Sequence, residues 1–299
     1  MSVICGIVFV FVLIGQLLVY LGIIDRLVKL IMNRVDSPAR VAILSSAVFG
    51  SVSGSAVANV MSTGQVTIPL MIKCGYSKVR AAAYEAVAST GGQLMPPIMG
   101  AAAFLMAEIL QISYWDVVLV AILPAVAFYA VLLLNVPKIK GRDRETPNSN
   151  SVSPLLPEIT KSMSGLIILS AAIGLIIGVM DQTALNIRIS SFIMDISGGY
   201  TIVVLLFVSV LCIVLGMGMP TSSTYLIVAI IAAPTLIDMG ITPIYAHLFV
   251  LYFGVISMIT PPVALSSFTA AKISGANPIV VSLHSVYLGW PLYILPFIF

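Results

Sequence analysis

The sequence predicts an all-α polytopic membrane protein, and three observations carry that expectation. Hydrophobic residues make up 60% of the 299 and charged residues only 8%, with a mean hydropathy of +1.14. Soluble domains carry about 25% charged residues, so this surface is not built for water. Apolar runs recur along the chain, several near the ~20 residues with which a helix crosses a hydrocarbon core about 30 Å thick. The ~10-residue alternating segments of a membrane β-barrel are not found. A net charge of +3 is too small to point to nucleic acid. Cys5, Cys74 and Cys212 are isolated in apolar sequence without metal-ligand spacing, which reads as small buried hydrophobes.

The first half divides into five elements. Val3–Ile24 is apolar throughout, has no basic segment before it, and reads as a span rather than a cleaved leader. Asp25–Ser37 is charged and amphipathic, with Leu27, Leu30 and Ile31 for one face, as in a helix lying along the interface. Arg40–Phe49 and Val57–Ile72 are apolar arms too short to cross comfortably, separated by the small-residue tract Gly50–Ala56. That pattern predicts a re-entrant helical hairpin. Val79–Ser89 and Ile98–Leu110 read as one discontinuous helix, broken at Thr90–Pro97, and Trp115–Val136 as a full span. Residues 137–161 are rich in Pro, Ser, Asn and charge, hence a solvated linker.

The second half repeats the plan: span Ser164–Met180, polar stretch Asp181–Ser197, arm Thr201–Leu215, tip Gly216–Ser223, and returning arm Thr224–Ile237. A broken helix follows, Pro243–Val255 and Val263–Ile273 about Ser257–Pro262, then a last span Asn277–Phe299. At a shift of 165 residues, Pro69 falls on Pro234, Gly75 on Gly240, Ala81 on Ala246, and Pro96-Pro97 on Pro261-Pro262. The reading is therefore two repeats, residues 1–136 and 163–299, joined by the linker 137–162. Following the path through the membrane puts every one of the 14 Lys and Arg residues except Arg188 on the linker side. The positive-inside rule makes that side cytoplasmic and the N-terminus external. The second hairpin then enters from the opposite side, so the repeats are inverted.

Unwound backbone at membrane depth needs partners, which only protein or a water-filled site supplies. Inverted repeats with broken helices place substrate and coupling ion near the midplane. Freed carbonyls suit a hard cation such as Na⁺, and helix N-termini favour an anionic group. One cation site per repeat is expected. Ser51, Ser53, Gly54, Ser55, Asn59, Gly92 and Gln93 supply the first; Gly216, Gly218, Thr221, Ser222, Ser223, Ser257 and Thr260 supply the second. Ser55, Pro97, Pro220, Thr221, Ser222 and Pro262 line the tips as substrate-binding candidates. Close helix packing through small residues is the plainer alternative. Glu85 and Glu108 lie in apolar sequence, where a carboxylate is a proton-relay candidate, although Glu85 is close enough to Arg80 to pair with it. His247 and His284 read as polar packing residues. An intramembrane hydrolase would need a base beside a Ser nucleophile, and the sequence shows no such pairing. A channel filter repeats around an oligomer axis, whereas this repeat lies within one chain. No cofactor is implied beyond the coupling ion.

At these tracts the chain resembles the large membrane subunit of the tripartite ATP-independent periplasmic (TRAP) transporters, DctM-like. The carriers are Phe49–Ala56, Gly91–Pro97, Gly216–Ser223 and Ile259–Val263. The Gly216-Met-Gly-Met-Pro-Thr-Ser form and Phe268–Gly275 look most like the fused permeases that serve TAXI-type binding proteins. The resemblance implies an elevator-type Na⁺ symporter, not an enzyme, in a bacterial or archaeal cell (inner) membrane. Its implied partners are a periplasmic substrate-binding protein that delivers an organic anion and a small membrane subunit or its fused equivalent. The sodium sites carried over by motif are the two tract pairs above. Such subunits have further spans before the first hairpin, so a truncated or split gene product is expected. Binding-protein-independent dicarboxylate or citrate carriers, coupled to Na⁺ or H⁺, are the nearest alternative family.

Overall fold

The computed structural model describes residues 33–137 and 185–298 continuously, with scattered positions before and between them. Nearly all of the expected spans Val3–Ile24 and Ser164–Met180, part of the interfacial stretch Asp25–Ser37 and the linker after Pro137 lie outside the described residues.

The described residues form helices and connections: α1 (Pro38–Ser53), α2 (Ala56–Lys73), α3 (Lys78–Gly92), α4 (Gly100–Leu110), α5 (Tyr114–Leu134), α6 (Leu185–Ser197), α7 (Thr201–Gly216), α8 (Thr221–Asp238), α9 (Pro243–Ile256), α10 (Leu265–Ser274), α11 (Pro278–Leu288) and α12 (Trp290–Ile294), with a closing 3₁₀ turn Leu295–Phe297. Local chemistry starts and stops them. Ser55, Ser77 and Asn277 cap α2, α3 and α11 by accepting backbone N–H bonds, and Ser113 with Asp116 forms a capping box on α5. Pro38, Pro243 and Pro278 occupy first-turn positions, where a missing N–H costs nothing.

The breaks are narrower than the sequence reading placed them. Gly50–Ser53 remain in α1, Thr90–Gly92 in α3, Gly216 in α7, and Thr221–Ser223 in the first turn of α8. Proline explains three of these boundaries. Its ring clashes with the carbonyl four residues back, so Pro96, Pro220 and Pro261 act on Gly92, Gly216 and Ser257, where α3, α7 and α9 end. The first break is set by Gly54, whose φ of 61° is the left-handed conformation that side chains resist. Pro69 and Pro234 are carried inside α2 and α8. Pro96-Pro97 and Pro261-Pro262 are both cis. The last span is not straight: α11 and the Trp290–Phe297 segment bend by 62° at Gly289, beside Pro291 at the start of the second piece.

α3 is the centre of the bundle, packed against α1, α2, α10 and α11. Two contact sets run in parallel: α1 and α2 pack on each other and on α3, as α7 and α8 do on each other and on α9. The halves interlock, α2 against α10 and α8 against α4, and Ser266 Oγ donates to Ala86 O across the joint at 3.2 Å. The outside is apolar. α7 leaves Ile202, Val203, Leu206, Phe207, Val210 and Val214 exposed, and α5 leaves Leu119, Ile122, Leu123 and Val126 exposed. Continuous apolar surface of this kind belongs against lipid rather than water. α5, with mean hydropathy 2.9, and α8, with 1.4, are long and apolar enough to cross a membrane, and the bent α11–α12 pair also passes when joined. By length, therefore, α8 exceeds what the returning arm of a hairpin requires.

Candidate functional site

The breaks meet in two crossings. In the first, α1 passes α3 with almost no separation. A Cβ on Gly92 would lie 2.7 Å from Gly50 Cα and 2.8 Å from Ser46 O, and the Asn59 side chain fills the remaining angle. Just beyond, Gly54 sits directly on Gly100 at the start of α4. Asn59 Nδ2 donates to Ser46 O at 2.8 Å, tying α2 to α1. In the second crossing, Gly216 at the end of α7 lies against Ser257 and Thr224, the positions 165 residues after Gly92 and Asn59. Ser257 Oγ donates to Gly216 O (3.1 Å) or Gly254 O (2.6 Å).

Of the candidates, Gly92 and Asn59 meet at the first crossing and Gly216 and Ser257 at the second. Ser51 is buried and its hydroxyl donates to Val48 O within α1. Ser53, Gly54 and Ser55 are half-buried at the break, where Ser55 Oγ accepts from Ala58 N. Asn59 and Gln93 are buried. Gln93 is the first residue past α3, and both its Oε1 and Nε2 lack a hydrogen-bond partner, as do the buried Thr90 Oγ1 and Ser53 Oγ. In the second set Thr221 and Ser257 are buried and Ser222, Ser223 and Thr260 half-buried, and Thr224, outside that set, is buried as well. Thr224 Oγ1 donates to Pro220 O at 3.2 Å, and Thr260 Oγ1 bonds Ile256 O (2.8 Å) and the Tyr293 hydroxyl (2.7 Å). Pro97, Gly218, Pro220 and Pro262 are exposed at the breaks.

Buried hydroxyls and amides without partners are costly, each by roughly 1–3 kcal/mol. Gln93, Thr90 and Ser53 carry such groups near the breaks that end α3 and α1. The second crossing offers hydroxyl oxygens that already donate to backbone but keep lone pairs free to accept.

One residue falls differently from expectation. Glu85 does not pair with Arg80: it is fully buried in α3, and its carboxyl oxygens lie within hydrogen-bond distance of the Ser46, Thr63, Thr67 and Ser89 hydroxyls. Thr63 and Thr67 were not among the candidates, although Asn59, Thr63 and Thr67 recur at a four-residue spacing that puts all three on one face of α2. His247 Nδ1 meets the Tyr225 hydroxyl at 2.8 Å in the core of the second half, a packing contact.

Polar helix breaks among helices with apolar outer faces are those of a multi-pass membrane protein. The model of the family described as the tripartite ATP-independent periplasmic transporter, DctM component, matches residues 1–154 and 142–299. The chain belongs to that family, a transporter component rather than an enzyme family. A protein of Salmonella typhimurium (strain LT2), YgiK, described as uncharacterized, is 37% identical over 91 residues, 29% of this chain. The match spans 21% of that relative's length.

Proposed function

We propose that this chain is the permease of a TRAP-type secondary transporter, taking up an organic anion delivered by a periplasmic substrate-binding protein and driven by Na⁺. The observation that carries the sodium reading is Gln93, buried with neither side-chain atom partnered, at the crossing where Gly50 and Gly92 bring α1 onto α3. Its Oε1, Thr90 Oγ1, Ser53 Oγ and the carbonyls released at Gln93–Pro96 form a neutral oxygen set suited to a monovalent cation. Gly216, Ser257, Thr221 and Thr260, with the carbonyls released at Met217–Met219, form the second. The N-terminal turns of α2 and α8, headed by Ser55 and Pro220, offer free N–H groups to the substrate carboxylate, with Thr221, Ser222, Pro97 and Pro262 around it.

The two sets form inverted repeats in this reading. It is supported by the helix starts: α2, α3 and α4 begin at 56, 78 and 100, and α8, α9 and α10 begin at 221, 243 and 265, a constant 165 apart. Each half presents a hairpin to the other half's broken helix, and the hairpins move as elevator cargo within a scaffold of spans. The Lys/Arg-rich side faces the cytoplasm and the N-terminus lies outside the inner membrane. The partners are a binding protein, TAXI-type by the motif forms at Gly216 and Phe268, and a small membrane subunit or its fused equivalent.

The test needs no substrate. An ion that binds the folded state raises its apparent stability, so the detergent-purified chain is expected to melt higher in NaCl than in matched KCl or choline chloride. Gln93→Leu, which removes the orphaned polar atoms at nearly constant volume, is expected to match or exceed wild type in KCl and to lose part of the sodium increment. A Gln93→Leu protein that keeps the whole increment would remove Gln93 from the site. A folded wild type indifferent to sodium would remove sodium from the reading.

A further inference from the structure

Glu85 is at 0% exposure in the middle of α3, and no basic side chain is among its hydrogen-bond partners. Oε1 is approached by Ser46 Oγ at 2.7 Å, Ser89 Oγ at 3.2 Å and Thr63 Oγ1; Oε2 is approached by Thr67 Oγ1 alone. Gly64 makes the room, since a Cβ there would lie 3.1 Å from Glu85 Cγ. An ionised carboxylate so deeply buried and without a counter-charge is costly. The environment must therefore supply either enough hydrogens or a positive charge.

The hydrogens fall short. Each hydroxyl carries one. Thr67 Oγ1 lies 3.0 Å from Thr63 O, the carbonyl four residues back to which a helical threonine donates. Thr63 Oγ1 stands likewise 2.9 Å from Asn59 O, and 3.0 Å from Asn59 Oδ1 and 3.1 Å from Ser46 Oγ as well. With the Thr67 hydrogen committed to Thr63 O, Oε1 still receives Ser46, Ser89 and Thr63, but Oε2 faces the Thr67 oxygen with no hydrogen between them. One proton on Oε2 resolves the conflict. Oε2 then donates to Thr67 Oγ1, Thr67 donates to Thr63 O, and Oε1 accepts from Ser46, Ser89 and Thr63. A metal ion does not fit as well. Ligand oxygens about 2.4 Å from a cation stand roughly 3.4 Å from one another, whereas these hydroxyls contact the carboxylate at 2.5–3.2 Å.

We propose that Glu85 is a proton-binding site of the transporter, holding one proton on Oε2 in this conformation through its contact with Thr67. The site is joined to the first crossing by Asn59. That side chain lies 3.0 Å from Thr63 Oγ1 through Oδ1, donates to Ser46 O through Nδ2, and lies against Gly50 and Gly92. Gain or loss of the proton thus bears directly on the α1–α2–α3 contact. From the other packed helices, the titratable side chain that interacts electrostatically with Glu85 is Tyr129 of α5, whose hydroxyl donates to Ala88 O at 2.7 Å. Arg40 and Lys73 stand at the far ends of α1 and α2, Lys272 near the end of α10, and His284 on α11 bonds its own helix at Val280 O. This site stands independently of the sodium reading.

Infrared spectroscopy of the purified full chain at pH 7.5 tests it directly. Wild type is expected to show the C=O stretch of a protonated carboxylic acid, resistant to exchange in D₂O, and Glu85→Gln is expected to lack it. Thr67→Val keeps the band and moves it to higher frequency, because the acid loses its hydrogen-bond acceptor, and this variant serves if Glu85→Gln does not fold. Absence of the band in folded wild type would overturn the proposal, as would a band unchanged in both variants. A stability increment from Na⁺ that vanishes in Glu85→Gln, in a protein without the band, would assign the site to a cation and overturn it equally.

Discussion

Gly92→Ala is expected to prevent accumulation of the folded protein, or to leave it melting far below wild type, and Gly50→Ala to do the same. The two α-carbons are so close that a methyl on Gly92 meets Gly50 Cα at 2.7 Å and a methyl on Gly50 meets Gly92 Cα at 2.7 Å. Both obstacles are backbone, which cannot rotate away, so α1 must lift off α3 as a body. Overpacking a core typically costs about 1–3 kcal/mol, and separating two helices at their crossing belongs at or above the upper end. Since Asn59 also lies at that crossing, lifting α1 strains its bond to Ser46 O. Gly240→Ala is the control. Its φ is 89°, yet nothing lies within 4 Å of an added methyl. Its cost is conformational alone, of order 1–3 kcal/mol at most. Yield of monodisperse protein and the melting midpoint read the difference; equal behaviour of Gly92→Ala and Gly240→Ala would deny the close crossing.

The second crossing is expected to behave differently because its obstacle is a side chain. A methyl on Gly216 would lie 2.5 Å from Ser257 Oγ and 2.8 Å from Thr224 Cγ2. Gly216→Ala should therefore destabilise by about 1–3 kcal/mol, and Ser257→Gly in the same molecule should recover at least half of the loss by vacating the space. Contacting residues couple in such a cycle, typically by about 0.5–3 kcal/mol. No second substitution rescues Gly92→Ala in this way, because Gly50 has no side chain to give up. Additive effects of Gly216→Ala and Ser257→Gly would show that the two do not touch.

Most of the architecture was legible because hydrocarbon leaves the backbone few choices. The runs Val57–Ile72, Val79–Ser89 and Pro243–Val255 appear as helices within a few residues of their expected ends. The ends themselves were misplaced where glycine was taken as unwinding by itself. Thr90-Gly-Gly92 and Gly50–Ser53 stay helical, because in the membrane a helix keeps its hydrogen bonds until something forbids them. The proline clash four residues upstream is what forbids them at Gly92, Gly216 and Ser257, and that rule could have been applied to the sequence alone. The bend at Gly289 was readable from Pro291 in the same way. What could not be read was depth and partnership. Glu85 stands five residues after Arg80, and sequence distance favoured an ion pair. Only the packing of α1 and α2 on α3 shows four hydroxyls turned onto the carboxylate instead. Likewise nothing in the composition of Gly91–Pro97 told that the Gln93 amide would be buried and left without a partner.

Equilibrium binding of radioactive sodium to the purified chain tests the central claim most directly, that each crossing of broken helices holds one coupling cation. The account predicts saturable binding of two ions per chain, competed by unlabelled Na⁺ but not by K⁺. One of the two is lost in Gln93→Leu and the other in the Gly216→Ala, Ser257→Gly double variant, which removes a hydroxyl from the second crossing while restoring its packing. Binding that never saturates, or that survives unchanged in both variants of a folded protein, would contradict it.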